Sequence, residues 1–414
     1  MPTDVEFTNL LAVVAVALAA PLLLGLAPRL RIPAAVLEIL GGVALGPSGF
    51  DVIEVDTVVA VMAVIGLAFL LFLAGLELDP HALRGRTLRL ALLGYAITLA
   101  LGSAVGAGVV AADWTGSAGL VALALSATSL GLVVPVLKDA GQATAPTGRL
   151  TIGAASVADF AAIILLALLF SGSDGSPGER AVLLGGFAAL VAATAVALSV
   201  AGRSMRLGDL LVRLQDTTAE IRVRATVVLL IAFVALAEKF GLESILGAFL
   251  AGAVVAVLDK DTASHPQLRT KLDAIGYGFV IPVFFVASGI RLDLRGLFDD
   301  PGALARVPLF LLALLVVRGV PAILFARQIG RRAALAAGLL QATSLPFIVT
   351  ATQIGVLTGR MDPVTAAALS CAGLLSVLLF PAAALALLRT GEAPPVNGVA
   401  MVASVGGNEE PQAR

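Results

Sequence analysis

Apolar runs, each closed by a short cluster of Pro, Gly or charged residues, follow one another along nearly the whole chain. They fall near residues 8–27, 33–50, 58–77, 88–112, 117–137, 148–171, 181–201, 223–241, 243–258, 273–290, 303–327, 333–358 and 363–388. Several approach the ~20 residues that carry a helix across ~30 Å of hydrocarbon, so the pattern predicts an all-α, polytopic membrane protein. The count predicted is thirteen spans, with the second and ninth short enough to be tilted or broken.

Charge sets the expected orientation. With the N-terminus outside, the inner loops and C-terminal tail hold 20 Lys and Arg residues against six in the outer loops, and Arg318 alone falls inside a span. The excess of basic residues in cytoplasmic loops therefore predicts a cell (inner) membrane protein, N-terminus outside and C-terminus in the cytoplasm. Composition agrees: 59% of the 414 residues are hydrophobic and 13% charged. A net charge of −1 and the lack of a basic, aromatic-laced arm give no reason to expect a nucleic-acid partner. One cysteine, Cys371, leaves no intrachain disulfide or Cys-based metal site. No Lys or Arg precedes the first apolar run, so the first helix is expected to be retained. Residues 1–390 are expected to form one transmembrane domain. Residues 391–414 are read as a short, disordered tail, and the polar loop 202–222 as too short for an independent fold.

The chain also repeats itself. "ATSL" occurs at 127–130 and again at 342–345, an offset of 215. "FLAGLELD" at 72–79 and "FVASGIRLD" at 285–293 align Gly75 with Gly289, an offset of 214; "ILGGVALG" at 39–46 and "ILGAFLAG" at 245–252 are offset by 206. These pairs join spans an odd number apart, which implies two repeats of opposite orientation, roughly 33–171 and 243–388. Inverted repeats are typical of secondary transporters, whose sites lie near the midplane between interrupted helices. Each ATSL segment places hydroxyls and a nearby proline, Pro135 or Pro346, in mid-span, where backbone carbonyls can be freed. Both spans are predicted to be interrupted there.

Two charges fall deep in the predicted spans. Asp159 lies in "ASVADFAAIILLALLF" and Arg318 in "LLVVRGVPAILF". An ionisable group at that depth is costly and is usually tied to a partner or a pathway. Shifting by 215 maps Asp159 onto Leu374 and Arg318 onto Ser103, so the repeat duplicates neither charge. Either the two form a structural ion pair, or Asp159 exchanges ligands while Arg318 supplies fixed positive charge. Glu243, which begins the short ninth span, is the expected carboxylate partner of Arg318. Glu38 and Glu77 lie near the inner ends of their spans, with Glu77 read as solvated. His81 and His265 fall in loops, where a solvated role is expected.

The segments "IPAAVLEILGGVALGPSGF", "GLAFLLFLAGLELD", "ESILGAFLAG" and "GFVIPVFFVASGIRLDL" resemble the second monovalent cation:proton antiporter family, the Kef-type branch of the sodium/proton exchanger superfamily. The resemblance covers about residues 30 to 360. It implies a thirteen-helix antiporter, a homodimer, with a dimerisation domain and a core domain in which two broken helices cross beside an essential aspartate. By the same resemblance Asp159 is that aspartate, Thr128 and Ser129 belong to the first crossing, Ser344 to the second, and Arg318 of "RGVP" is the basic residue of the core. The chain departs from the family at Ala158, where relatives carry a second acid or an Asn, and at Ala154, where electroneutral exchangers carry a Glu. No C-terminal nucleotide-binding domain of the kind found in potassium-efflux relatives is expected within these 414 residues.

The candidate cation- and proton-binding set is thus Asp159, Thr128, Ser129, Ser156 and Ser344, with Arg318 and Glu243 as core charges. A carboxylate with hydroxyl and carbonyl oxygens suits a hard monovalent cation, Na⁺ or K⁺, and the same carboxylate can hold a proton instead. The expected function is exchange of that cation for protons, electroneutral because one Asp stands alone, with no cofactor. The alternative is a K⁺ efflux channel or uniporter on the same scaffold. An intramembrane hydrolase is not expected: no His lies in a span, and no Ser or Cys has an evident base.

Overall fold

The computed structural model describes residues 7–26, 33–77, 85–170, 177–202, 220–258 and 266–389. His81, His265, the 391–414 tail and most of the 202–222 loop lie outside the described residues. Helices run in chain order as α1 (Thr8–Leu26), α2 (Ala34–Leu45), α3 (Thr57–Leu76), α4 (Gly85–Ala111), α5 (Ala118–Ser126), α6 (Leu130–Asp139), α7 (Pro146–Phe170), α8 (Pro177–Gly202), α9 (Ile221–Lys239) and α10 (Ser244–Leu258). The second half continues with α11 (Pro266–Ile275), α12 (Ile281–Ile290), α13 (Leu294–Asp299), α14 (Pro301–Leu314), α15 (Ala326–Gln341), α16 (Pro346–Leu357) and α17 (Pro363–Arg389). Among the described residues seven helical stretches are each long and apolar enough to cross a bilayer, and four shorter apolar helices accompany them. The stretch Pro301–Leu357 holds two of the predicted spans: Gly330, at φ 82°, breaks it amid Arg327, Arg331 and Arg332, and the chain then packs back on itself.

Helix starts follow local chemistry. Asp56 caps α3 by accepting from the Val59 N–H at 2.8 Å, Ser117 caps α5 through Leu120 N–H, and Asp300 caps α14 with Pro301 as its first residue. Two stretches of π-helix, Gly276–Val280 and Leu315–Gly319, each end two residues before a proline, Pro282 and Pro321. A proline inside a helix has no N–H to give and crowds the carbonyl four residues back, so the local winding changes. The second of these loosened turns carries Arg318.

The helices form two groups. α1, α2, α3, α9, α10 and α12 pack mainly on one another, while α4, α5, α7 and α14 to α17 form the other group. Within the first group, small residues set the approach. A Cβ on Gly75 would strike the Phe249 carbonyl and one on Gly252 the Phe72 carbonyl; likewise Gly42 meets the Val286 carbonyl and Gly289 the Ile39 carbonyl. The α3–α10 and α2–α12 contacts are thus paired glycine crossings of one kind, in which backbones touch. Gly75 and Gly289 play the same part, as their alignment predicted. Gly252 corresponds in packing to Gly42 and not to Gly46, so the third sequence alignment slips by one helical turn. Side-chain identity in such Gly- and Ala-rich helices fixes the register only to within a turn; backbone contact fixes it fully.

Gly252→Ala is expected to destabilise the protein by about 1–3 kcal/mol, because the obstructing atom is backbone and cannot swing aside. Gly108→Ala, which faces open space, is the control. Thermal melting of both variants in detergent tests the difference; equal melting temperatures would show that the α3–α10 contact does not depend on its glycines.

Candidate functional site

Both ATSL spans are interrupted. Residues 127–129 between α5 and α6, and 343–345 between α15 and α16, are non-helical. Pro346 opens α16 as its first residue, whereas Pro135 lies within α6 and not at the break. The two breaks touch: Ser129 N–H donates to the Thr343 carbonyl at 2.9 Å. Water is scarce at this depth, so each freed backbone group needs a protein partner.

Asp159, on α7, supplies two of these partners. Its Oδ1 accepts from Thr128 N–H at 3.0 Å and its Oδ2 from Leu130 N–H at 3.3 Å. The carboxylate therefore sits at the N-terminus of α6, where unpaired N–H groups and the helix dipole favour negative charge. Thr128 joins the rest. Its hydroxyl donates to the Gln341 carbonyl at the C-terminal end of α15, 2.7 Å away, and accepts from Arg318 Nε at 3.0 Å and from Arg318 Nη2. Arg318 Nη1 donates to Thr98 Oγ1 on α4 at 3.2 Å. Positive charge is thus placed by the negative end of α15, and negative charge by the positive end of α6.

Arg318 is only 1% exposed. Among the described residues it makes no direct ion pair with Asp159; Thr128 stands between them, although the two charges are near enough to interact. The expectation that Glu243 balances Arg318 is overturned. Glu243 lies just before α10, in the other helix group, and is not among the partners of Arg318, which are Thr128 and Thr98. The physical reason is that neutral hydroxyls satisfy the guanidinium. Ala154 and Ala158 are meanwhile packed in an apolar cluster with Ala322 and Phe325, so no carboxylate can stand there.

The remaining candidates divide. Ser156 is buried, but its hydroxyl donates to the Ile152 carbonyl of its own helix at 2.9 Å. Ser344 is fully buried with its hydroxyl unpartnered, and Gln341 Nε2 beside the same break is also unpartnered. Ser376 on α17 holds the second break: Ser344 N–H donates to its Oγ at 3.2 Å, and that Oγ–H faces the Ser344 and Gly373 carbonyls. Ser376 therefore stands where Asp159 stands at the first break, two residues from the Leu374 that the offset of 215 selects. Sequence reasoning missed Ser376, Thr98 and Gln341. Sliding the repeat by two residues would have found Ser376; nothing local marks the other two.

A cavity of about 230 Å³ opens beside the crossing, lined among others by Thr128, Ser129, Asp159, Glu38, Glu77 and Tyr277. Glu77 is not the solvated residue expected. It lines this cavity, pairs with Arg269 at 3.5 Å and keeps Oε2 buried without a partner.

Two broken helices crossing at a buried carboxylate, between two helix groups with a cavity at their seam, define a helical membrane protein of the sodium/proton antiporter fold. The chain belongs to the family described as "Sodium/hydrogen exchanger, transmembrane", whose sequence model matches residues 14–389. It is 34% identical over 362 residues to the putative Na⁺/H⁺ antiporter YjbQ of Bacillus subtilis, covering 84% of this chain and 57% of YjbQ. It is 28% identical to the Na⁺/H⁺-K⁺ antiporter GerN of Bacillus cereus, covering 70% of this chain and 74% of GerN. The structure of the sodium proton antiporter MjNhaP1 from Methanocaldococcus jannaschii superposes with a TM-score of 0.67 at 19% identity, covering 93% of this chain and 99% of that one. The chain spans little more than half of YjbQ and 34% of Cation/H⁺ antiporter 18 of Arabidopsis thaliana.

Thr128→Val removes the hydroxyl that Arg318 and the Gln341 carbonyl share, and is expected to cost about 1–3 kcal/mol through stranded buried polar groups. Thr128→Ser keeps that hydroxyl and should stay near wild type. Melting curves in detergent decide; equal loss in both variants would mean that the methyl, not the hydroxyl, matters.

Proposed function

We propose that this protein exchanges a monovalent cation, Na⁺ or K⁺, for a proton, with Asp159 bound by each in turn. The observation that carries this reading is the state of the Asp159 carboxylate. It is buried at the crossing and lines the cavity; among the described residues it is held by two backbone N–H groups and has no basic side chain in direct contact. Its remaining lone pairs are free for an ion. Thr128 and Ser129 line the same cavity; with the Thr128 hydroxyl engaged by Arg318 and Gln341, the Ser129 hydroxyl and the Thr128 carbonyl offer the oxygens suited to a hard cation. Ser344 joins that set if its unpartnered hydroxyl turns toward the crossing, and Ser156 if it releases its own helix. The names of the relatives support the same reading.

Burial without a counter-ion disfavours a bare carboxylate, so protonation and cation binding exclude each other there. Since Ala158 and Ala154 leave one acid at the crossing, the exchange is one for one and electroneutral. No cofactor is needed. The charge asymmetry of the loops supports a cell-membrane protein with its C-terminus in the cytoplasm, in which case the cavity opens inward. Association into a homodimer belongs to the same reading. A channel or uniporter is less well supported, because the site is a carboxylate that must be neutralised and not a lined pore.

Reconstituted into vesicles, the protein should dissipate a pH gradient on addition of Na⁺ or K⁺, and Asp159→Asn should abolish this while leaving a folded protein. Raising the cation concentration should shift the acid limb of activity to lower pH, since the cation displaces the proton. Wild-type rates in Asp159→Asn, or cation flux independent of the pH gradient, would refute exchange at this residue. Flux measured at clamped voltage tests the stoichiometry: one-for-one exchange is insensitive to voltage.

A further inference from the structure

Among the described residues the cavity wall carries three carboxylates, Asp159 on α7, Glu77 at the end of α3 and Glu38 on α2, and no Lys, Arg or His. They do not converge on one point: among the described residues no group of three His, Cys, Asp or Glu side chains could hold a metal ion. Two of the three are accounted for. Asp159 is held by the break at α6, and Glu77 pairs with Arg269.

Glu38 is different. Its side chain is 5% exposed, lines the cavity, and has no hydrogen-bond or ion-pair partner among the described residues. The helices packed against α2 bring no charge to it: neither α1 nor α12 contains a titratable side chain. The titratable groups across the cavity are Tyr277, Glu77 and Asp159, none of them cationic. An isolated carboxylate in a wall otherwise largely apolar is costly, and a group in that position is neutralised by whatever small cation reaches it. α2 and α7 also belong to different helix groups, so Glu38 and Asp159 line one cavity from the two sides of the seam between the groups.

We propose that Glu38 is a receiving site for the transported monovalent cation, in the cavity that Asp159 also lines, from which the ion passes to the crossing. A fixed negative charge inside a low-dielectric cleft concentrates cations there and speeds their arrival. This assignment rests on the exchange proposed above and gives that exchange a second station. It does not alter the stoichiometry, because the ion bound at Glu38 is the one later bound at Asp159.

The test compares Glu38→Gln and Glu38→Asp with wild type in vesicles, reading cation-driven collapse of a pH gradient. Glu38→Gln is expected to raise the KM for Na⁺ or K⁺ about tenfold or more while the maximal rate at saturating cation changes little. Glu38→Asp should recover most of the affinity. A second readout, equilibrium binding of radiolabelled Na⁺ or Rb⁺ to detergent-purified Asp159→Asn, isolates the station: weak binding should persist there and vanish in the Asp159→Asn, Glu38→Gln double variant. An unchanged KM in Glu38→Gln, or no difference in binding between single and double variants, overturns the proposal. So does an equal fall in maximal rate and melting temperature in both Glu38 variants, which assigns Glu38 to packing. If wild-type vesicles show no exchange, the functional reading fails, and the binding comparison still decides whether Glu38 holds a cation.

Discussion

The hydroxyl of Thr128 is where the structure is tied together. It accepts from Arg318, donates to the Gln341 carbonyl, and belongs to the residue whose own N–H holds Asp159. Two interrupted helices at bilayer depth leave backbone donors and acceptors that lipid cannot satisfy. The protein meets this by crossing the breaks, so that Ser129 and Thr128 of one satisfy Thr343 and Gln341 of the other. A break in one helix alone would leave these groups orphaned. The crossing therefore requires the repeat, and the buried charges require the crossing, because each is stabilised by a helix end of opposite sign.

The pseudo-symmetry is close in backbone and broken in chemistry. Asp159 holds the Thr128 and Leu130 N–H groups at the first break and Ser376 the Ser344 N–H at the second, one position out of correspondence, and only Asp159 can carry charge. Arg318 introduces the second departure, on a turn loosened by Pro321. The scaffold supplies two helix breaks that meet at one crossing, and only the first has an acid beside it, which makes it the proposed ion site. Ala154 and Ala158, on the same helix as Asp159, pack in an apolar cluster with Phe325 and Ala322 and bring no further polar group to the crossing.

Between the two helix groups lies the cavity, and its wall joins both: Glu38 and Glu77 from one side, Asp159 and Thr128 from the other. The first group is closed by glycine crossings that leave no slack between backbones, whereas the seam between the groups has fewer contacts and open space. Rigid bodies with a weak seam are what alternating access needs, since movement can occur at the seam without repacking either body. The proposed exchange then rests on a site shared across the joint and not enclosed within one group.

Much of this was legible in the chain. The apolar runs, the interrupted ATSL segments, and Asp159 and Arg318 as the two deep charges follow from period, composition and the cost of burying charge, which act locally and leave a mark in any short window. The pairing of those charges did not follow. Sequence offered Glu243 as the partner of Arg318 because an opposite charge is the strongest partner one can name without coordinates. Tertiary structure chose Thr98 and Thr128 instead, 220 and 190 residues away and neutral. Glu77 and Glu38 looked like ordinary helix-end acids until α7 and α12 closed a cavity around them. Sequence by itself determined which segments enter the membrane and where they break, since the bilayer imposes the same demand on every residue it meets. Only the tertiary structure decided which donor answers which acceptor, since that depends on distances between helices far apart in the chain.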